Sequence, residues 1–233
     1  MYARTAALCA AATLSMIAGA EAKGWSGYYI GLNAGTGKAE TDTTRTISDN
    51  AYFAAANLTA VENASAMSLD EDTFLGGAQI GVNWPLGESF VLGFEVDADG
   101  FGNDTSKSAT VVYPVSGPST FTVTNSLEQT WLATARLRLG VTTDWFMAYA
   151  TGGYAGSDMK FTQTFADTFT PFATQTVENA EFRSGYSYGG GIEVMIESGA
   201  SIKVEYLYLD LGEITAVGPI ASGTTTSNGK AEV

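Results

Sequence analysis

Trp131-Leu132-Ala133-Thr134-Ala135-Arg136-Leu137-Arg138-Leu139-Gly140-Val141 is the stretch that decides the fold. Trp131, Ala133, Ala135, Leu137 and Leu139 alternate with Thr134, Arg136, Arg138 and Gly140. A period of two places these sets on opposite faces of a β-strand, whereas a helix would mix them. The same alternation recurs in Tyr28–Gly35, Gly76–Trp84, Phe90–Ala98, Tyr186–Ile196 and Ile202–Tyr208. Trp145–Ala155 is strand-like as well, but both of its faces are apolar and its register stays open. These are seven strands of roughly ten residues, the length of a tilted strand that crosses a bilayer.

Alternation alone does not say which face meets water, since a soluble barrel would turn the charged face outward and fill its interior with the apolar one. Connection lengths favour the membrane. Pro85–Ser89, Thr142–Asp144 and Glu197–Ala200 are tight turns, while Lys38–Thr73, Phe101 to about Gln129, Gly156 to about Gly185, and Gly212 onward are long polar connections. Short turns at one end and long loops at the other are the pattern of outer-membrane barrels, with the short turns periplasmic. Trp84 and Phe90 flank one short turn and Trp145 with Phe146 follows another, as interfacial aromatics do. The expected fold is therefore all-β, an antiparallel up-and-down transmembrane β-barrel.

Composition narrows the function. The chain has 233 residues, no histidine and one cysteine, Cys9. Without imidazole there is no Ser-His-Asp or Cys-His chemistry and no histidine-ligated zinc, and one cysteine forms neither an internal disulfide nor a thiolate cluster. Barrel lipid-modifying enzymes and outer-membrane proteases rely on histidine and lose their basis too. A net charge of −14 argues against nucleic acid as a partner. No catalytic, metal-binding or cofactor-binding residue is expected.

Residues 1–22 read as an export signal. Arg4 supplies the basic start, Thr5–Ile17 the apolar run and Ala20-Glu21-Ala22 the cleavage site. The run is too short for a spanning helix. Ala-Ala-Leu before Cys9 does not make a lipoprotein site, because Leu stands where a small residue belongs. Residues 23–233 then form a single barrel domain.

Several motifs are false leads. Gly35-Thr36-Gly37-Lys38 lacks the first glycine and the Ser/Thr of a phosphate loop and reads as a strand end. Asp97-Ala98-Asp99-Gly100 lacks the later oxygen ligands of a calcium loop, with Phe101 and Ser108 in their places. Gly189-Gly190-Gly191 reads as a strand approached closely by its neighbours. The acidic stretches Glu40–Thr44 and Asp70–Asp72 read as solvated surface, or as contacts to cations bridging lipopolysaccharide.

Trp25-Ser26-Gly27-Tyr28-Tyr29-Ile30-Gly31-Leu32-Asn33-Ala34-Gly35 resembles the opening strand of the small OmpA-like outer-membrane barrels, the surface-antigen or "porin family" proteins of Gram-negative bacteria. Gly76–Trp84, Ala135–Gly140, Tyr149–Gly153 and Gly189–Glu193 are similar in the same order, and Lys203–Gly212 is the most specific match. The resemblance implies eight strands, no enzymatic activity, an outer-membrane location and exposure to host or environment. It also implies a last strand ending in an aromatic residue. This chain shows seven strands and stops at Gly229-Lys230-Ala231-Glu232-Val233, so the expectation is one further strand, from a continuing chain or from a partner.

The expected lumen set is Glu95, Asp97, Arg136, Arg138, Glu193, Lys203 and Glu205. In a narrow barrel such charges must pair, acids of Phe90–Ala98 with bases of Trp131–Val141, and Glu193 with Lys203 across their turn. The functional expectation is a structural and surface-interaction barrel with a filled lumen. Its partners are outer-membrane lipid, lipopolysaccharide and surface ligands of host or environment. A small-solute pore and a soluble periplasmic binding barrel are the alternatives.

Overall fold

The computed structural model describes residues 11–19, 24–48, 53–169, 174–197, 199–220 and 223–232. They form ten strands and one helix: β1 (Ala11–Gly19), β2 (Gly27–Ser48), α1 (Ala55–Ser65), β3 (Ser68–Leu86), β4 (Phe90–Val112), β5 (Thr120–Thr142), β6 (Phe146–Asp167), β7 (Thr174–Glu197), β8 (Ala200–Asp210), β9 (Ile214–Ile220) and β10 (Gly223–Glu232). Strands β2 to β8 pair antiparallel, each with the next, and β1 pairs with both β2 and β8. That double pairing closes a ring of eight strands. All seven alternating stretches fall in β2–β8.

Which way the faces point settles the choice between lipid and water. Arg136 and Arg138 are each 2% exposed, while Leu137 and Leu139 between and after them are 58% and 54% exposed. Ile30, Leu32, Ile80, Phe94, Ile192 and Val204 also point outward and are exposed. A soluble barrel would be the reverse, because isolated charges belong in water and a continuous apolar belt does not. The belt runs on β5 from Val141 to Trp131, and outward positions then turn polar at Thr130, Glu128, Ser126, Thr124 and Thr122. Eleven residues match one tilted crossing. Register shifts between Gly100 and Asn103 and between Gln129 and Ala133 mark this level on adjacent strand pairs.

The long connections are largely strand, which corrects the expectation of polar loops. Paired β2–β3, β4–β5 and β6–β7 continue far past the apolar belt, and β4 to β7 are 22 to 24 residues long. At about 3.4 Å per residue and a tilt near 40°, such a strand rises about 60 Å, against an apolar belt about 25 Å tall. Roughly half of each long hairpin therefore forms a head beyond the belt. Threonine is the physical reason: β-branched and half-polar, it suits an extended strand in water. Cross-strand hydroxyl pairs such as Thr110–Thr122 (2.8 Å) and Thr164–Thr176 (3.1 Å) line the outside of the head. Gly35–Lys38 lies within β2 rather than at its end.

Inside the head, α1 packs Val61 against Ile47, Tyr113, Phe121, Val123 and Phe165. Ser65 anchors the helix, its carbonyl accepting from Thr43 Oγ1 (2.9 Å) and Asn125 Nδ2 (3.0 Å).

The eighth sector is shared by two segments. β10 descends antiparallel to the upper part of β2, from Thr224 opposite Ser48 to Glu232 opposite Glu40. β1 runs the same way in line below it, from Ala12 opposite Thr36 to Gly19 opposite Tyr29. The gap expected in the barrel wall is thus filled in this structure, in its lower part by Ala11–Gly19, while the cleavage site read at residues 20–22 lies outside the described residues.

Candidate functional site

The inward row of β5 orders the barrel interior. From the short-turn end it reads Gly140, Arg138, Arg136, Thr134, Leu132, Gln129, Leu127, Asn125, Val123 and Phe121, every one buried. Two arginines thus fall at the level of the apolar belt, where the outward neighbours Leu137 and Leu139 require hydrocarbon.

Glu95 on β4 is the hub. Its carboxylate accepts from Lys203 Nζ at 2.9 and 3.0 Å, from Arg136 Nη2 at 2.9 Å and from the Tyr29 hydroxyl at 2.8 Å. Arg136 also reaches Asp97 at 2.7 Å and Glu205 at 2.8 Å. Arg138 meets Glu193 at 3.2 Å and Glu95 at 3.6 Å, and its guanidinium lies 4.7 and 5.2 Å from the ring centres of Tyr29 and Tyr149. Tyr149 donates to Glu205 at 2.7 Å, and Thr134 to Asp97 at 2.6 Å. All seven expected lumen residues are buried and lie in one connected network.

One expected pair is not made. Glu193 and Lys203 are direct register partners, yet Lys203 turns to Glu95 and Gln79, while Glu193 takes Arg138 and Ser201. The side chains cross the lumen instead of following the hairpin: both Glu95 oxygens accept from Lys203, while the Glu193 oxygens accept from Arg138 and Ser201.

Room for these large groups comes from glycines opposite them. A Cβ on Gly81 would sit 2.2 Å from the Tyr29 ring, and one on Gly93 would sit 2.6 Å from the Arg138 side chain. Gly189 is closely approached as expected: a Cβ there would lie 2.0 Å from the Tyr206 carbonyl.

Sequence reasoning missed Tyr29, Asn83, Gln79, Thr134, Asp99 and Tyr149. Tyr29 and Tyr149 were masked by aromatic outward neighbours or by a strand apolar on both faces. The structure fixes the open register of β6, with Met147, Tyr149 and Thr151 inward and Ala148 and Ala150 outward.

Above the charges lies an apolar cluster that includes Leu69, Leu75, Leu127, Leu132, Met159, Phe161, Leu209 and Leu211. Below them, Val91, Met147 and Tyr149 cluster with Trp25 packed against them. The expected interfacial residues Trp84, Phe90 and Trp145 are exposed at the short-turn end, with Phe146 half-buried against Trp145. An opposing set, Phe74, Tyr154, Phe182 and Tyr186, is exposed at the other edge of the belt and was not expected.

Among the described residues, no group of His, Cys, Asp or Glu could hold a metal ion. A belt of exposed apolar side chains around a closed antiparallel ring with a charged interior defines a transmembrane β-barrel. The model of the outer membrane protein beta-barrel domain family matches residues 6–231, and the chain belongs to that family. It is 31% identical over 191 residues to the 31 kDa outer-membrane immunogenic protein of Brucella melitensis, spanning 81% of this chain and 72% of the relative. A 22 kDa outer membrane protein of Rhizobium leguminosarum is 26% identical over 150 residues, spanning 64% of this chain and 58% of that one. Among solved structures, Ail of Yersinia pestis in complex with the heparin analogue sucrose octasulfate aligns over 95% of this chain and 97% of its own, at 7% identity and a TM-score of 0.32. The protein is an outer-membrane β-barrel of Gram-negative type.

Proposed function

We propose that this barrel is a non-enzymatic surface protein, closed to solutes, that holds a rigid β-ribbon head outside the outer membrane for contact with lipopolysaccharide and with surfaces of the host or environment. The observation carrying this reading is the filled interior. The Glu95 network, the leucine-rich layer above it and α1 inside the head occupy successive levels of one lumen. Paired charges at this density are costly to separate, so ion flow would have to break several buried pairs at once. The short turns face the periplasm and the head faces outward, which places the Thr-rich sheet and the acidic stretches among sugar chains.

Residues 1–22 act as a leader, and the mature chain starts at Lys23. Removal of the leader vacates the lower part of the eighth sector. β10 runs in line with that part of the wall. Planar-bilayer recording tests the closed lumen: the refolded protein adds no unitary current steps, and steady channels of uniform size would replace this reading with the pore.

A further inference from the structure

Among the described residues, every cation buried in the lumen has a carboxylate partner, and one buried cation in the head does not. Arg45, on the inward row of β2, is 6% exposed, and its Nε and Nη1 are buried without a hydrogen-bond partner. Among the described residues no carboxylate lies within ion-pair distance of it. Arg136 and Arg138 each leave one nitrogen unbonded as well, but each meets two or more carboxylates.

The acids on the facing elements are engaged elsewhere. Glu62 of α1 accepts the backbone N–H of Ile47 at 3.1 Å, and Asp167 of β6 accepts the Tyr113 hydroxyl at 3.0 Å. Arg45 instead lies 5.6 Å from the centre of the Phe165 ring. Burial pushes its guanidinium down to about 10, and Glu62 offsets this only in part. A ring face does not neutralise a cation as a carboxylate does. Burying an unpaired charge is expensive unless something outside the chain neutralises it.

We infer that Arg45 is the anchor of an oxyanion-binding site in the head, taking a carboxylate or phosphate group of an external ligand. Arginine suits both groups, because its planar donors match their oxygens. Phe165 beneath the guanidinium gives the ligand an apolar floor, and the hydroxyl of Thr43 and the amides of Asn125 and Gln163 line the next inward level. The inference holds whichever way the head faces.

The test is unfolding of the refolded full chain in detergent micelles, at fixed ionic strength, titrated with sodium acetate or with inorganic phosphate. Wild type, Arg45→Met and Arg45→Lys are compared, because the variants carry any general salt effect. One of the two anions should raise the wild-type midpoint saturably. The apparent affinity should fall at least tenfold in Arg45→Met and less in Arg45→Lys. Whichever anion acts identifies a carboxylate or a phosphate ligand. In buffer without either anion, Arg45→Met should be more stable than wild type, since it removes an uncompensated charge and keeps the apolar stem. The inference is overturned if neither anion shifts wild type, or if Arg45→Met responds as wild type does. Loss of stability in Arg45→Met under all conditions would also overturn it, assigning Arg45 a structural role; if that variant does not fold, an Arg45→Lys response equal to wild type does so.

Discussion

Replacing Arg136 with methionine removes the partner of three carboxylates at once: Glu95 at 2.9 Å, Asp97 at 2.7 Å and Glu205 at 2.8 Å. The buried lumen holds the acids Glu95, Asp97, Asp99, Glu193 and Glu205 against the bases Arg136, Arg138 and Lys203, five against three. The variant makes it five against two. Breaking a buried pair by removing one partner costs about 3 to 5 kcal/mol, and Arg136→Met falls near 5, because Asp97 and Glu205 lose their close cation while Glu95 keeps Lys203. Arg138→Met should cost about 3 kcal/mol, because Arg138 has one close carboxylate and leans on two tyrosine rings. At a slope of about 2 kcal/mol per molar urea, the midpoints fall by about 2.5 M and 1.5 M. Unfolding in lipid vesicles, followed by tryptophan fluorescence and by the heat-modifiable band on a gel, measures both. Adding Glu205→Leu to Arg136→Met should recover part of the loss, since removing both members of a buried pair costs far less than removing one. The reasoning fails if Arg136→Met unfolds at the wild-type urea concentration, or if Arg138→Met is the more damaging of the two.

Gly93→Ala should also destabilise the barrel, because its Cβ would collide with the Arg138 stem and Asn83; midpoints equal to wild type would show that the lumen repacks freely. External protease on whole cells should cut only the tips of the head, near Tyr113–Ser119 or residues 168–173, and spare Gly87–Ser89; cleavage at Gly87–Ser89 first would reverse the orientation. Sequencing the protein recovered from the outer membrane should give Lys23 as its first residue, and recovery of Met1 there would refute leader removal.

The membrane belt was legible because period-two alternation is strong where one face meets hydrocarbon and the other meets charge. Leu137 beside Arg136 and Arg138 has no other arrangement. The head was not legible for the opposite reason. At Thr120-Phe121-Thr122-Val123-Thr124-Asn125 the outward face is hydroxyl rather than apolar, so the contrast that announces a strand drops. Phe161-Thr162-Gln163-Thr164-Phe165 carries the same weak signal, with Phe161 and Phe165 inward. Pairing in the lumen was legible only across neighbouring strands, as for Glu95 with Arg136. Lys203 reaches Glu95 across 108 positions of sequence, and no local rule predicts which of several acids a long side chain will choose. Arg45 gave no signal at all, since its meaning lies in the partners it lacks.

Nitroxide scanning along β5 in lipid vesicles tests the central claim most directly, with Cys9→Ser to leave one reporter at a time. Labels at Ala133, Leu137, Leu139 and Val141 should be reached by oxygen dissolved in the bilayer and shielded from a water-soluble relaxant. Labels at Thr134 and Gly140 should be shielded from both, as a filled lumen requires. Access of the water-soluble relaxant to Thr134 and Gly140 would open the lumen, and its access to Leu137 and Leu139 would take the barrel out of the membrane.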